Sequence, residues 1–127
     1  GVCRFPYNSL GFGLDWYQKY LKAATGVDFS LERLNEVSER ILNLVRAFWI
    51  REYGEQWRRD LDVVPTRWFK EPLTQGPLKG SALNLEKYTA MLDDYYQKRG
   101  WDNNGVPKRE RLEKLGLADV ANQLMLG

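Results

Sequence analysis

The sequence predicts an all-α fold, an irregular bundle of about four to five helices joined by long Pro- and Gly-containing loops. Three observations predict it. Apolar residues recur at intervals of three and four over several long stretches, and capping residues or glycines flank those stretches. No segment alternates apolar and polar residues long enough to build a sheet, and the chain contains no internal repeat or low-complexity tract.

From Asn8 to Gly13 the glycine-containing segment reads as a loop, followed by a helix from about Leu14 to Ala24 that Gly26 ends. Leu14, Tyr17, Leu21 and Ala24 mark its apolar face, which Trp16 and Tyr20 widen. An aromatic stripe can stack on a nucleobase or a pterin, but at helical spacing it reads first as core. Ser30 is a good N-cap for the longest helix, about Leu31 to Tyr53, with Glu32 in the first turn where the helix dipole favours a negative charge. Gly54 is its natural stop. Leu34, Val37, Ile41, Leu44 and Phe48 form one seam, and Val45 and Trp49 broaden it, which predicts a helix in the middle of a bundle. The seam lasts barely three heptads, so intramolecular packing is expected over a coiled coil. Glu36 and Arg40 read as a solvated pair.

Between Glu55 and Trp68 come Trp57, Arg58, Arg59, Asp60, Asp62, Pro65 and Arg67. Two nearby carboxylates can bind a metal or hold different pKa values, but no third ligand is visible here, and residues two apart do not share a helix face. The segment reads as a loop pinned by ion pairs. Two prolines and two glycines between Glu71 and Gly80 then forbid helix, because proline removes a donor and restricts its predecessor. Lys79 lies between glycines without the spacing of a phosphate-binding P-loop, which rejects nucleotide binding. Asn84 caps a helix whose apolar positions Leu85, Tyr88, Met91, Leu92, Tyr95 and Tyr96 fall on one face, and Gly100 stops it after the cationic Arg99. Pro107 leads into a short helix from about Lys108 to Leu115, whose first turn should fray because lysine occupies the cap. Gly116 ends that helix, and the tail Ala118–Leu124 adds a turn or two. Leu117, Val120, Leu124 and Met125 form a small apolar strip for docking.

Composition bounds the function. A chain of 127 residues with 43% hydrophobic content fits a single domain with a modest core. Charges of both signs are interspersed to a net +2, with no polybasic block, which argues against a nucleic-acid partner. No apolar run approaches the roughly 20 residues that cross a bilayer, so no membrane partner is expected. One cysteine allows no internal disulfide, and the absence of histidine removes the commonest general base and metal ligand. Any chemistry must borrow residues from elsewhere. The start at Gly1 reads as the interior of a longer chain, so a fragment is expected.

The order and spacing of Glu71-Pro72-Leu73, Gly76-Pro77-Leu78-Lys79-Gly80, Met91-Leu92-Asp93-Asp94-Tyr95-Tyr96, Arg99-Gly100-Trp101-Asp102, Gly105-Val106-Pro107 and Leu115-Gly116-Leu117 are specific. Together they resemble the C-terminal part of the tungsten-containing aldehyde:ferredoxin oxidoreductase family, whose tail carries E-P-L, G-P-x-K-G, M-L-D-x-Y-Y, R-G-W-D, G-x-P and L-G-L in that order. The likeness covers nearly the whole chain and is strongest from Pro65 to Leu117. Where the family has a charged R-x-D-D-x-L-P-x-R stretch, this chain departs from it with Leu61 and with Val63-Val64-Pro65.

The resemblance implies a cytoplasmic enzyme that oxidises an aldehyde to its carboxylic acid at a tungsten bis-pterin centre. Electrons would pass through a four-iron four-sulfur cluster to ferredoxin. The implied partners are the upstream domains, ferredoxin and the aldehyde substrate; a ring-reducing subunit acting on aromatic thioesters would share the same tail. Gly1-Val2-Cys3 matches the end of the family's D-x-x-G-L-C pattern, which implies Cys3 as one cluster ligand. Gly1 and Val2 are implied to approach a pterin through backbone groups, and Arg4 to neighbour the cluster or the substrate acid. One cysteine cannot assemble a cluster, so the isolated chain is expected to carry no cofactor and to be inactive. The residues by themselves leave open a stand-alone helical interaction domain without a redox centre.

Overall fold

A computed structural model of the chain describes Cys3 and residues 5–125. Among the described residues it contains seven α-helical segments, two 3₁₀ turns and no strand, only an isolated antiparallel bridge between Trp101 and Pro107. The all-α expectation is met. The chain forms two compact units, residues 1–41 and 42–127.

In the first unit, α1 (Phe5–Ser9) occupies ground where a loop was expected from Asn8 onward. Helix α2 (Leu14–Thr25) ends where Gly26 turns left-handed at φ 73° and its N–H bonds the Lys22 carbonyl at 2.8 Å. Its aromatic stripe is not a core: no residue of α2 is buried, Trp16 and Tyr20 are exposed, and Tyr17 and Leu21 are half-buried. Ring contacts stand in for deep burial, with Phe12 edge-on to Trp16 at 4.9 Å and Tyr7 against Tyr17 at 5.9 Å. Ser30 caps the next helix, α3 (Leu31–Tyr53), its Oγ accepting from the Arg33 N–H at 3.1 Å. Hydrogen bonds at this cap, from its own backbone N–H first and then from Ser30, hold the Glu32 carboxyl below its ordinary value. Glu36 pairs with Arg33 at 2.7 Å on the exposed face.

The second unit takes α3 from Leu42 onward. The 3₁₀ turns Gly54–Gln56 and Arg59–Asp62 follow, then α4 (Arg67–Lys70), α5 (Leu85–Arg99), α6 (Arg109–Lys114) and α7 (Ala118–Met125). Its apolar centre is Leu112, Leu115, Leu117 and Ala121, with Val120 and Leu124 packed against it. The strip expected for docking is therefore partly this unit's own core. The side chain of Met125 lies outside the description.

Between α4 and α5 the Pro- and Gly-rich stretch is a closed loop. Leu73 donates to the Ser81 carbonyl at 2.9 Å, Gly80 returns a bond to the Leu73 carbonyl at 2.8 Å, and Leu83 bonds Trp68 at 2.9 Å. Asn84 then caps α5, its side-chain oxygen accepting from the Lys87 N–H at 2.9 Å. Gly100 ends α5 in the left-handed region, donating to the Gln97 and Tyr96 carbonyls. Lys108 gives α6 no side-chain cap, as its residue type predicts.

Candidate functional site

The polar centre of the second unit grows from four segments that meet at residues 101–107. Asp102 shapes that loop. Its side-chain oxygen accepts from the N–H groups of Asn104 at 2.8 Å and Val106 at 2.9 Å, and its own N–H bonds the Val106 carbonyl at 2.8 Å. The turn aims three successive carbonyls outward, and a different side chain takes each one. Arg59 Nη1 donates to Asn103 at 3.0 Å, Trp57 Nε1 to Asn104 at 3.0 Å, and Arg46 Nε to Gly105 at 2.8 Å.

Arg46 is the hub. Its side chain is 12% exposed, and its guanidinium lies 4.2 Å from the Trp57 ring centre and 4.5 Å from that of Trp101. Nη1 donates to Asp62 Oδ1 at 2.8 Å and Nη2 to Oδ2, the forked geometry that only arginine provides. The Tyr96 hydroxyl donates to the same Asp62 Oδ2, and the Tyr88 hydroxyl to the Asp62 backbone carbonyl at 2.9 Å. One turn back along α3, Asn43 is fully buried and its Oδ1 accepts from Trp101 Nε1 at 2.8 Å. Gly105 is required here. At φ +76° a Cβ would stand 2.1 Å from Arg46 Nη2 and 2.9 Å from the Tyr96 ring.

Burial pushes the Asp62 carboxyl up, but hydrogen bonds from Arg46 and Tyr96 and the charges of Arg46 and Arg59 outweigh it, leaving the group below its ordinary value. Burial together with the Asp62 carboxylate raises the Tyr96 phenol well above the usual tyrosine range. Asp62 therefore stays ionised and Tyr96 protonated at neutral pH. Arg46 spends its three guanidinium nitrogens on Gly105 and Asp62, and Tyr96 spends its proton on Asp62. This is a structural knot with no general acid or base to offer.

Asp60 and Asp62 do not form a carboxylate pair. Asp60 lies on the surface 3.4 Å from Arg58, while Asp62 turns into the knot, which agrees with the reading of a loop pinned by ion pairs. Lys79 is exposed on the Pro- and Gly-rich loop, beside a cavity of about 550 Å³ that Trp68, Leu73, Leu78 and Leu83 help to line. Cys3 is an exposed free thiol. Gly1, Val2 and Arg4 lie outside the described residues. No group of three metal-ligating side chains occurs among the described residues. An exposed soft donor fits one corner of an iron-sulfur cluster and cannot supply the others. Arg46, Tyr96, Trp101 and Asn43 escaped sequence reasoning as a group. The one available signal is a polar Asn43 and Arg46 three residues apart within the otherwise apolar stretch 41–50.

Fold and site define a helical chain whose second unit is held by an internal ion-pair knot, with no catalytic constellation among the described residues. Residues 1–117 match the family described as aldehyde ferredoxin oxidoreductase, domains 2 and 3, and the chain belongs to that family as its C-terminal domain. It is 40% identical over 119 residues to a tungsten-containing aldehyde ferredoxin oxidoreductase of Pyrococcus furiosus, and 39% identical over the same length to that of Thermococcus kodakarensis. Each match takes in 94% of this chain but 18% of the relative. Among solved structures it resembles a chain of the active-site complex BamBC of benzoyl coenzyme A reductase in complex with 1,5-dienoyl-CoA. That likeness has a TM-score of 0.68 and 29% identity, and covers 91% of this chain and 16% of the other. No helix among the described residues is long and apolar enough to cross a membrane.

Proposed function

We propose that the chain is the C-terminal helical part of a cytoplasmic tungstopterin aldehyde:ferredoxin oxidoreductase, in which it donates one ligand to a four-iron four-sulfur cluster and helps close the cofactor cavity. The observation that carries this reading is the family match over residues 1–117. When bound, the tungsten bis-pterin and the cluster supply the oxidation of aldehyde to carboxylic acid, with two electrons leaving singly to ferredoxin.

This chain's own contribution is positional. Cys3 would hold one corner of the cluster through its sulfur, with Arg4 next to it in sequence as a neighbour of the cluster or the substrate acid. Gly1 and Val2 bring backbone groups toward a pterin. The Arg46–Asp62 knot fixes the Trp101–Pro107 loop, so that the second unit presents a preset surface to the rest of the enzyme. The isolated domain is inactive and cofactor-free in this reading.

The full-length enzyme, produced with tungstate in the medium, tests the proposal. It should contain tungsten and iron and reduce ferredoxin in an aldehyde-dependent reaction. A folded full-length enzyme with neither metal and no aldehyde-dependent reduction contradicts it.

A further inference from the structure

The second half of α3 turns its small and polar side inward. Against its own unit it buries Asn43 and Ala47 and half-buries Leu42, Arg46 and Ile50. Its large apolar side chains face out, with Leu44, Val45, Phe48 and Trp49 each 45–50% exposed. On α5, Met91 and Tyr95 are also exposed. Between the two helices runs a groove of about 370 Å³ walled by Val45, Trp49, Leu92 and Tyr95, with Arg46, Asp62 and Tyr96 along its floor.

A small polar ligand has little to hold here. The guanidinium nitrogens of Arg46 are committed to Gly105 and Asp62, and the Tyr96 hydroxyl to Asp62, so the groove offers apolar walls over a polar floor that is already paired. Large contiguous apolar patches of this kind mark protein contacts. From Ile41 to Ile50 the only charged residue is Arg46, and the charges that border the face stack on its own rings, Arg51 over Phe48 at 5.2 Å and Arg99 over Tyr95 at 5.0 Å, so its chemistry is that of a permanent interface.

We infer that the α3–α5 face is covered by another segment of the same polypeptide, an apolar helix or strand that inserts between Trp49 and Tyr95. The inference rests on the reading of this chain as part of a longer enzyme. The chain covers 18% of the Pyrococcus relative and 16% of the solved reductase chain, so more than four fifths of such a polypeptide lies outside the matched stretch and is available to cover the face. The apolar face of α3 thus belongs to a core completed from outside these residues.

A photoreactive benzoylphenylalanine in place of Trp49 in the full-length enzyme tests this, with the same residue in place of Lys98, which is exposed on α5, as the control. Mixing isotopically light and heavy enzyme separates links within one polypeptide from links between copies. Expected is a position-49 link to a peptide of the same polypeptide lying outside these 127 residues, and none from position 98. A link to a second copy, a link to ferredoxin, or no peptide link at position 49 overturns the inference. The readout does not depend on metal or turnover. An enzyme with tungsten, iron and aldehyde oxidation but no such link rejects the docking face alone; the link without those activities rejects the catalytic reading alone.

Discussion

Arg46 and Asp62 stand 16 residues apart in the chain and meet fork to fork, Nη1 to Oδ1 at 2.8 Å and Nη2 to Oδ2. The pair joins α3 to the 3₁₀ turn Arg59–Asp62, while Arg46 Nε reaches the carbonyl of Gly105, 59 residues away. Removing Arg46 takes away the ion pair of a largely buried Asp62 and leaves it the Tyr96 hydroxyl and the charge of Arg59, and removing Asp62 strips Arg46 of its counter-charge. Arg46→Ala should cost about 3 kcal/mol, at the low end for breaking a buried pair because Asp62 keeps some solvent contact. Arg46→Lys should recover only a minor part, since lysine has no fork and stacks poorly between Trp57 and Trp101. Urea unfolding followed by tryptophan fluorescence measures both.

Stability should depend on pH from two sides. The lowered Asp62 group contributes stability that is present above the ordinary aspartate value of about 4 and is lost as pH falls through its folded value. The raised Tyr96 group contributes stability that is present below the ordinary tyrosine value of about 10 and is lost as pH rises toward its folded value. Unfolding midpoints across pH should show Asp62→Asn flattening part of the acid limb and Tyr96→Phe part of the alkaline limb. Unchanged limbs in both variants would remove these groups from the linkage.

Two glycines with positive φ should differ sharply. Gly80, at φ +84° with open space around it, should tolerate alanine at about 1–2 kcal/mol, the cost of the left-handed conformation. Gly105→Ala carries that cost plus about 1–3 kcal/mol of overpacking against Arg46 and Tyr96. Equal midpoints for the two variants would mean that the loop does not press on the knot.

Trp101→Phe leaves the fully buried Asn43 oxygen without its indole donor and should cost about 1–3 kcal/mol for the unsatisfied acceptor, besides the change in ring volume. Comparison with Trp57→Phe, whose indole bonds the more exposed Asn104 carbonyl, separates the hydrogen bond in the core from the one at the surface. The Trp101 variant should lose more.

Local rules made much of the fold legible. Ser30, Asn84, Gly26, Gly54 and Gly100 mark helix ends within a residue, because caps and left-handed glycines act over a single turn. The short α1 and α4 carry no such marks and are set by context. What periodicity could not reveal is whose surface covers an apolar stripe. The Leu44–Phe48 seam was read as inward, whereas the helix turns Asn43 and Ala47 inward and leaves the seam exposed. The knot was hidden for a related reason. Asp62 was visible as a pinned charge, but its partners Arg46 and Tyr96 lie on other helices, and nothing in linear spacing joins them.

The most direct measurement is made on Cys3→Ala in the full-length enzyme. Iron content should fall, the reduced-cluster signal in electron paramagnetic resonance should be lost or replaced by a three-iron signal, and ferredoxin reduction should stop while tungsten is retained. A variant with full iron, an unchanged signal and undiminished ferredoxin reduction would contradict cluster ligation by Cys3.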